Sequence, residues 1–369
     1  ATLIFLPLVF LCIFLGSRFP LAISPIPGMD VRTTWDIVLL AYCFIAAVIP
    51  AWLLLQPRGY LGGFFLSLTA GLSFIGLIVG GLTQNFAIQY PAFRGWVNPQ
   101  GLPIFPLLFT TVACGACSGF HAIVSSGTTS KQLSKETDAR LIGYGGMLLE
   151  GFVALIALST LLLLGQAQAQ QLQDPNRIFA NGVSVFLGSL GINRAFAFNF
   201  ALLAFATFVY DTLDVATRLG RYVFQEFTGW RTRLGSYAAT AVTLALPFLF
   251  VSRKVLDAQG NAIPVWKIFW TVFGSSNQLL AALVLLGISV WLYKRGMKYR
   301  FALWPSIFMS VIAILSLYLV LEPWLLEILT KKRLILAPLG ITGSVLLILA
   351  FMLFFEVVGV FFRNADTRG

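Results

Sequence analysis

The sequence predicts an all-α fold, a polytopic membrane bundle of about ten transmembrane helices. Three observations carry this. The 369 residues are 58% hydrophobic and only 11% charged, where a soluble domain has about a quarter charged residues. The apolar residues fall in runs of roughly 20, the length that crosses a hydrocarbon core, separated by short polar connections. No stretch shows the period-two alternation of a membrane barrel.

Taken in order, the expected spans are residues 2–16, 35–55, 60–82, 103–125, 140–164, 195–217, 234–251, 266–293, 301–321 and 334–362. The first is short for a full crossing and has no cationic stretch ahead of it, so it does not read as a signal peptide. The expectation is that the sequence starts inside a larger protein. The connection 83–102 carries aromatics with Pro91 and Pro99 and is expected at the outer interface. The connection 166–193 opens with QAQAQQLQ and turns apolar at IFANGVSVFLGSLG. That apolar part is too short to span, so 178–192 is expected as an interfacial or re-entrant helix packed on the bundle. In the eighth span the polar run Gly274–Gln278 interrupts apolar sequence. Two readings fit it: a broken helix lining a cavity, or a short entry helix, a turn and a normal span. The basic connection KRGMKYR (294–300) marks the cytoplasmic side, which puts both termini and the tail 363–369 inside. The whole chain, 1–369, reads as a single transmembrane domain.

The formal net charge of +11 does not point to nucleic acid. The Lys and Arg residues sit between apolar runs, where they act as topology signals and lipid-headgroup contacts. One histidine and four scattered cysteines supply too few ligands for a structural zinc site. Cys114 and Cys117 have CxxC spacing, but the soluble βαβ setting of a redox motif is missing, and both read as small packing residues. No cofactor or metal is expected.

The polar residues inside the apolar runs need a reason. The stretch Cys114–Lys131, CGACSGFHAIVSSGTTSK, holds His121 among Ser118, Gly119, Ser125, Ser126, Gly127, Thr128 and Thr129. Glycines and hydroxyls there weaken a helix locally, allow close approach, or present backbone to something polar. A second stretch, Gly143–Glu150 (GYGGMLLE), contains Tyr144 and the acid Glu150. A carboxylate at mid-membrane costs about 2.5 kcal/mol or more on insertion scales, so it pairs, protonates or meets water. Gly143, Met147 and Glu150 share one helical face, suited to close packing against another helix. The two stretches are expected to face one another and form part of a solute path. His121 and Glu150 are the candidate proton carriers, and structural hydrogen bonding is the alternative for each. Asp211, Asp214 and Arg218 fall on one face, with Arg221 on the same side; Asp214 and Arg218 have the favoured acid-before-base i,i+4 order. They read as a salt-bridged helix end at the cytoplasmic interface or as an inner gate whose ion pairs break and re-form.

Five stretches together resemble the carbon starvation protein A family of bacterial inner-membrane transporters: FPLLFTTVACGACSGFHAIVSSGTTSKQL (105–133), IGYGGMLLEGFVAL (142–155), YDTLDVATRLGRYVFQE (210–226), FGSSNQLLAALVL (273–285) and IPAWLLLQPRGYL (49–61). The resemblance implies proton-driven uptake of short peptides or pyruvate, with no enzymatic activity, through a fold like that of amino acid–polyamine–cation transporters. It implies that the SGFH and SSGTT residues and Glu150 line or brace the central path. Asn277 and Gln278 would support that path, together with Asp214 and Arg218. Family members carry further helices ahead of the point matching Ala1; the expectation is that these precede Ala1 in a larger protein or come from a second copy or a partner membrane chain. Two other readings stand beside transport: a non-transporting membrane subunit that keeps the fold, and a membrane thiol enzyme using Cys114 and Cys117.

Overall fold

The computed structural model describes residues 2–19, 24–27, 29–97, 103–115, 117–172, 174–252, 255–256, 262–263, 265–331 and 337–363. The elements run α1 (Thr2–Arg18), α2 (Val31–Val48), α3 (Leu55–Thr83), α4 (Ile104–Val112), a 3-10 turn (Ala113–Gly115), α5 (Gly119–Gly127), a second 3-10 turn (Thr129–Lys131), α6 (Asp138–Arg140), a π-turn (Leu141–Gly145), α7 (Gly146–Leu162), α8 (Gln166–Leu172), α9 (Pro175–Ser189), α10 (Arg194–Thr228), α11 (Arg233–Val251), α12 (Val265–Lys294), α13 (Arg300–Lys331) and α14 (Ala337–Arg363). A two-residue antiparallel pair, β1 (Val255–Leu256) with β2 (Ala262–Ile263), precedes α12. The chain forms two compact units, one of residues 1–93 and 148–253, the other of 94–147 and 254–369.

Among the described residues, eight helical segments are long and apolar enough to cross a membrane. The first and last expected spans carry shorter apolar helices, Phe5–Gly16 and Gly340–Glu356. The tail 364–369 lies outside the described residues, as do residues 98–102 of the connection expected at the outer interface.

In the first unit, local sequence sets the helix starts. Asp174 accepts a hydrogen bond from the Asn176 amide at 2.9 Å, with Pro175 opening α9. Asn193 accepts from the Ala195 and Phe196 amides to open α10. Gly229 closes α10 in the left-handed region at φ 74°. The helices then meet around Phe65, Ile156, Phe179, Val183, Phe186, Leu187 and Phe200. Small residues let backbones close up: a Cβ on Gly76 of α3 would strike the Phe186 backbone, and Ser189 Oγ donates to the Gly76 carbonyl at 2.7 Å. The segment 178–192 therefore forms most of a 15-residue helix, about 22 Å long, whose Phe179, Val183, Phe186 and Leu187 belong to the unit's core.

In the second unit α12, α13 and α14 pack around Val272, Leu279, Ala313, Leu317, Leu321 and Ala350. A buried chain of hydroxyls ties three helices: Thr110 on α4 lies 3.1 Å from Ser316 on α13, which lies 2.7 Å from Ser275 on α12. The polar run Gly274–Gln278 does not break its helix. α12 is continuous from Val265 to Lys294, because Ser275 and Asn277 find side-chain partners on neighbouring elements and leave the i→i−4 ladder intact.

Candidate functional site

The interruption lies instead in the membrane-length segment 104–131 of this unit. After α4 the chain makes a 3-10 turn, and Ser118 is extended (φ −114°, ψ 130°) before α5 starts. A new helix start in mid-segment leaves amides without intrahelical partners. Ser118 Oγ accepts from the His121 amide, a weak cap at 3.5 Å. The Phe120 amide donates to Asn277 Oδ1 of α12 at 2.8 Å, and Asn277 Nδ2 donates to Ser118 Oγ at 3.0 Å and to Cys114 Sγ at 3.3 Å. Gly119 makes the approach possible: a Cβ there would lie 2.5 Å from the Asn277 carbonyl oxygen and 2.8 Å from the Ala281 nitrogen. Next to Asn277, Gln278 is fully buried, and neither Oε1 nor Nε2 has a hydrogen-bond partner among the described residues.

The remaining small polar residues differ in setting. Ser125 and Ser126 are exposed and donate to the Ala122 and Ile123 carbonyls; Thr128 donates to the Val124 carbonyl. Gly127 and Thr129 are half-buried and His121 is exposed, its ring edge-on to Phe120 at 6.2 Å. Tyr144 is exposed, in the π-turn Leu141–Gly145. Gly143 lies in that turn, ahead of α7, which carries Met147 and Glu150. Within its unit nothing lies within 4 Å of a Cβ on Gly143, so the close helix approach expected there is not made. Glu150 is half-buried at the start of α7 and belongs to the first unit, whereas His121 belongs to the second.

The first unit holds the charged cluster. α10 does not end near Thr217 but continues for three more turns to Thr228, so Asp214, Arg218 and Arg221 are buried rather than at a helix end. The partner of Asp214 is not Arg218. Arg58 Nη1 of α3 lies 2.7 Å from Asp214 Oδ2, and Tyr42 on α2 donates to the same oxygen at 3.0 Å. Arg58 also donates to the Tyr42 hydroxyl, and its Nη2 lies 3.7 Å from Asp211 Oδ1. Arg218 instead donates through Nη2 to the Ala46 and Ile49 carbonyls at 2.7 and 2.8 Å, covering the C-terminal end of α2. Arg221 stacks on Tyr222 at 4.7 Å. Arg58, read from sequence as one basic residue of a connection, is thus the centre of the network. Its signal was a lone arginine in QPRGY between two apolar runs, and nothing local says which acid it meets.

Among the described residues, no group of three or more His, Cys, Asp or Glu side chains is placed to hold a metal, and the four cysteines are free thiols. A shallow groove of about 360 Å³ between α2 and α11 is lined only by apolar side chains, including Leu40, Phe44, Leu244 and Phe248. It contains none of the polar residues above.

The family model described as "Carbon starvation protein CstA" matches residues 1–178 and 164–316. The chain is 33% identical over 343 aligned residues to the "Peptide transporter CstA" of Escherichia coli (strain K12), covering 75% of this chain and 47% of that protein. It is 31% identical over 320 residues to the "Peptide transporter CstA" of Helicobacter pylori (strain ATCC 700392 / 26695), covering 70% and 45%. To the "Pyruvate/proton symporter BtsT" of Escherichia coli (strain K12) it is 31% identical over 361 residues, covering 76% and 49%. The chain thus spans about half the length of the curated relatives it matches. No solved structure matches.

Proposed function

Since the chain belongs to the carbon starvation protein CstA family, we propose that it is part of a proton-coupled secondary transporter importing pyruvate or short peptides across the bacterial inner membrane. The observation that carries this reading is the interrupted segment 104–131. Backbone breaks at membrane depth are tolerated only where protein or a water-filled path receives the freed groups, and secondary transporters build their midplane sites from such breaks. Here a side chain of α12 receives the freed amide of α5.

In this proposal the bundle has the amino acid–polyamine–cation transporter architecture with about ten spanning helices, the shorter apolar segments Phe5–Gly16 and Gly340–Glu356 included. Ser118, Gly119, Asn277 and Gln278 form the joint of the path. His121, Ser125, Ser126, Gly127, Thr128, Thr129, Tyr144 and Glu150 line it in states where the segments move. The relatives' names supply the substrate classes: pyruvate and peptide share a carboxylate, and one is named a proton symporter. The test is uptake into proteoliposomes holding the purified protein, with labelled pyruvate or a labelled dipeptide under an imposed inward proton gradient. Accumulation of either, abolished by a protonophore, is the expected result. Neither accumulation nor exchange of either solute would replace transport with the non-transporting subunit reading.

A further inference from the structure

Within that transporter reading, we propose that the coupling proton binds at the pair Asp211 and Asp214, with Asp211 as the carboxylate that takes it up and Arg58 as the cation shared between the two.

The charge inventory comes first. Asp211 and Asp214 stand at i and i+3 on α10, and among the described residues the only ion pairs of either are to Arg58. The two carboxylates share one guanidinium as their ion-pair partner, Arg218 further along α10 acts on Asp214, and neighbouring like charges do not both ionise freely. The pair is unequal. Asp214 is held at 2.7 Å, also accepts from Tyr42, and its side chain is 2% exposed. Asp211 is 3.7 Å from the other guanidinium nitrogen, and its side chain is 37% exposed.

Hydrogen bonding gives a second, independent indication. Asp214 Oδ1 and Asp211 Oδ1 are buried atoms with no hydrogen-bond partner among the described residues, as are Arg58 Nε and Nη2. An orphaned acceptor in a buried site is costly, about 1–3 kcal/mol each. Protonation of Asp211 removes one of the two negative charges that share Arg58. The step is simple in balance: the Asp211 carboxylate gains H⁺ from water and becomes a neutral acid, and Arg58 is left paired with Asp214 alone.

The surrounding groups do not supply the missing charge at Asp211. Facing the pair are Tyr42 and Cys43 from α2, Arg58 from α3 and, further along α10, Arg218. Arg218 donates to carbonyls of α2 rather than to either aspartate. On the other helices packed against α10, Arg18 of α1 stacks on Phe14, Arg177 is exposed in the first turn of α9, and Arg233 is exposed at the start of α11. Arg32 and Asp36 sit nearer the start of α2 than Tyr42. Because Tyr42, Arg58 and the aspartates come from three helices, a proton here changes what holds α2 and α3 to α10.

The experiment is an infrared difference spectrum between acidic and neutral pH, recorded on the purified protein in lipid nanodiscs. A protonated-carboxyl band is expected in the wild type, lost in Asp211→Asn, kept in the exposed control Glu226→Gln, and kept but shifted in Asp211→Glu. Asp211→Ser is the second neutral variant should the amide disturb folding. A band unchanged in both neutral variants, or no titrating band in the wild type beyond that removed by Glu226→Gln, overturns the proposal. In proteoliposomes, Asp211→Asn should lose pyruvate accumulation driven by the proton gradient and keep pyruvate counterflow. Accumulation retained at the wild-type level also overturns it. Wild-type protein that moves neither pyruvate nor dipeptide refutes the transporter reading alone, and the infrared result then stands by itself on the proton site.

Discussion

Asn277→Ala tests the joint in the interrupted segment. The substitution removes Oδ1, the acceptor of the Phe120 amide at 2.8 Å, and Nδ2, which donates to Ser118 Oγ at 3.0 Å. The amide is the costlier loss, because a backbone donor left unpaired in this part-buried site costs up to about 1–3 kcal/mol. The Ser118 contact is a side-chain bond between helices, worth about 0.6 kcal/mol on average in membrane proteins. Together they predict about 2–3 kcal/mol of destabilisation, concentrated at the start of α5. Ser118→Ala removes the smaller part and the weak cap on His121, so it should cost only about 1 kcal/mol. The assay is reversible unfolding in mixed micelles for the two single variants and the double, with hydrogen exchange at Phe120 read by mass spectrometry. A 2 kcal/mol loss corresponds to about 30-fold faster exchange at that amide. An Asn277→Ala cost below about 0.5 kcal/mol with exchange at Phe120 unchanged would refute the argument that α12 holds the break.

Three further outcomes follow from the same geometry. Gly119→Ala should destabilise by about 1–3 kcal/mol, since its methyl group meets backbone of α12 that cannot step aside, whereas Gly143→Ala should be neutral or stabilising by up to about 1 kcal/mol; thermal unfolding of the pair checks the contrast. Arg58→Gln should cost about 3–5 kcal/mol by leaving the Asp214 carboxylate buried without its cation, and a second substitution, Asp214→Asn, should recover much of that loss in the same unfolding assay. Gln278→Leu removes two buried polar atoms that lack partners and should raise stability by about 1–3 kcal/mol; if Gln278 supports the path as proposed, pyruvate uptake falls in the same variant.

Much of the fold is legible in the sequence because its causes are local. Apolar length places the spans, and Asp174–Pro175, Asn193 and Gly229 mark helix ends by their own backbone chemistry. The polarity of Ser118–Gly119 marks the joint for the same reason. The polar run at Gly274–Gln278 gave the opposite outcome: it carries the composition of a break and forms continuous helix. Composition reports that polar groups need partners, and cannot report whether those partners are the run's own backbone or another element's. The i,i+4 order of Asp214 and Arg218 misleads similarly, since a local pairing rule applies only when no stronger distant partner is present.

Sequence by itself determined that this chain is a helical membrane protein, which stretches are apolar enough to be its spans, and which stretches concentrate polar groups in apolar surroundings. Tertiary structure alone decided the pairings: Asn277 with Ser118 across 159 positions, Tyr42 with Asp214 across 172, and Arg58 between two aspartates. The physical reason is that hydropathy and capping depend on residues within a turn or two of one another. A hydrogen bond or ion pair depends on atoms a few ångströms apart, and only packing of helices brings such distant positions to that range.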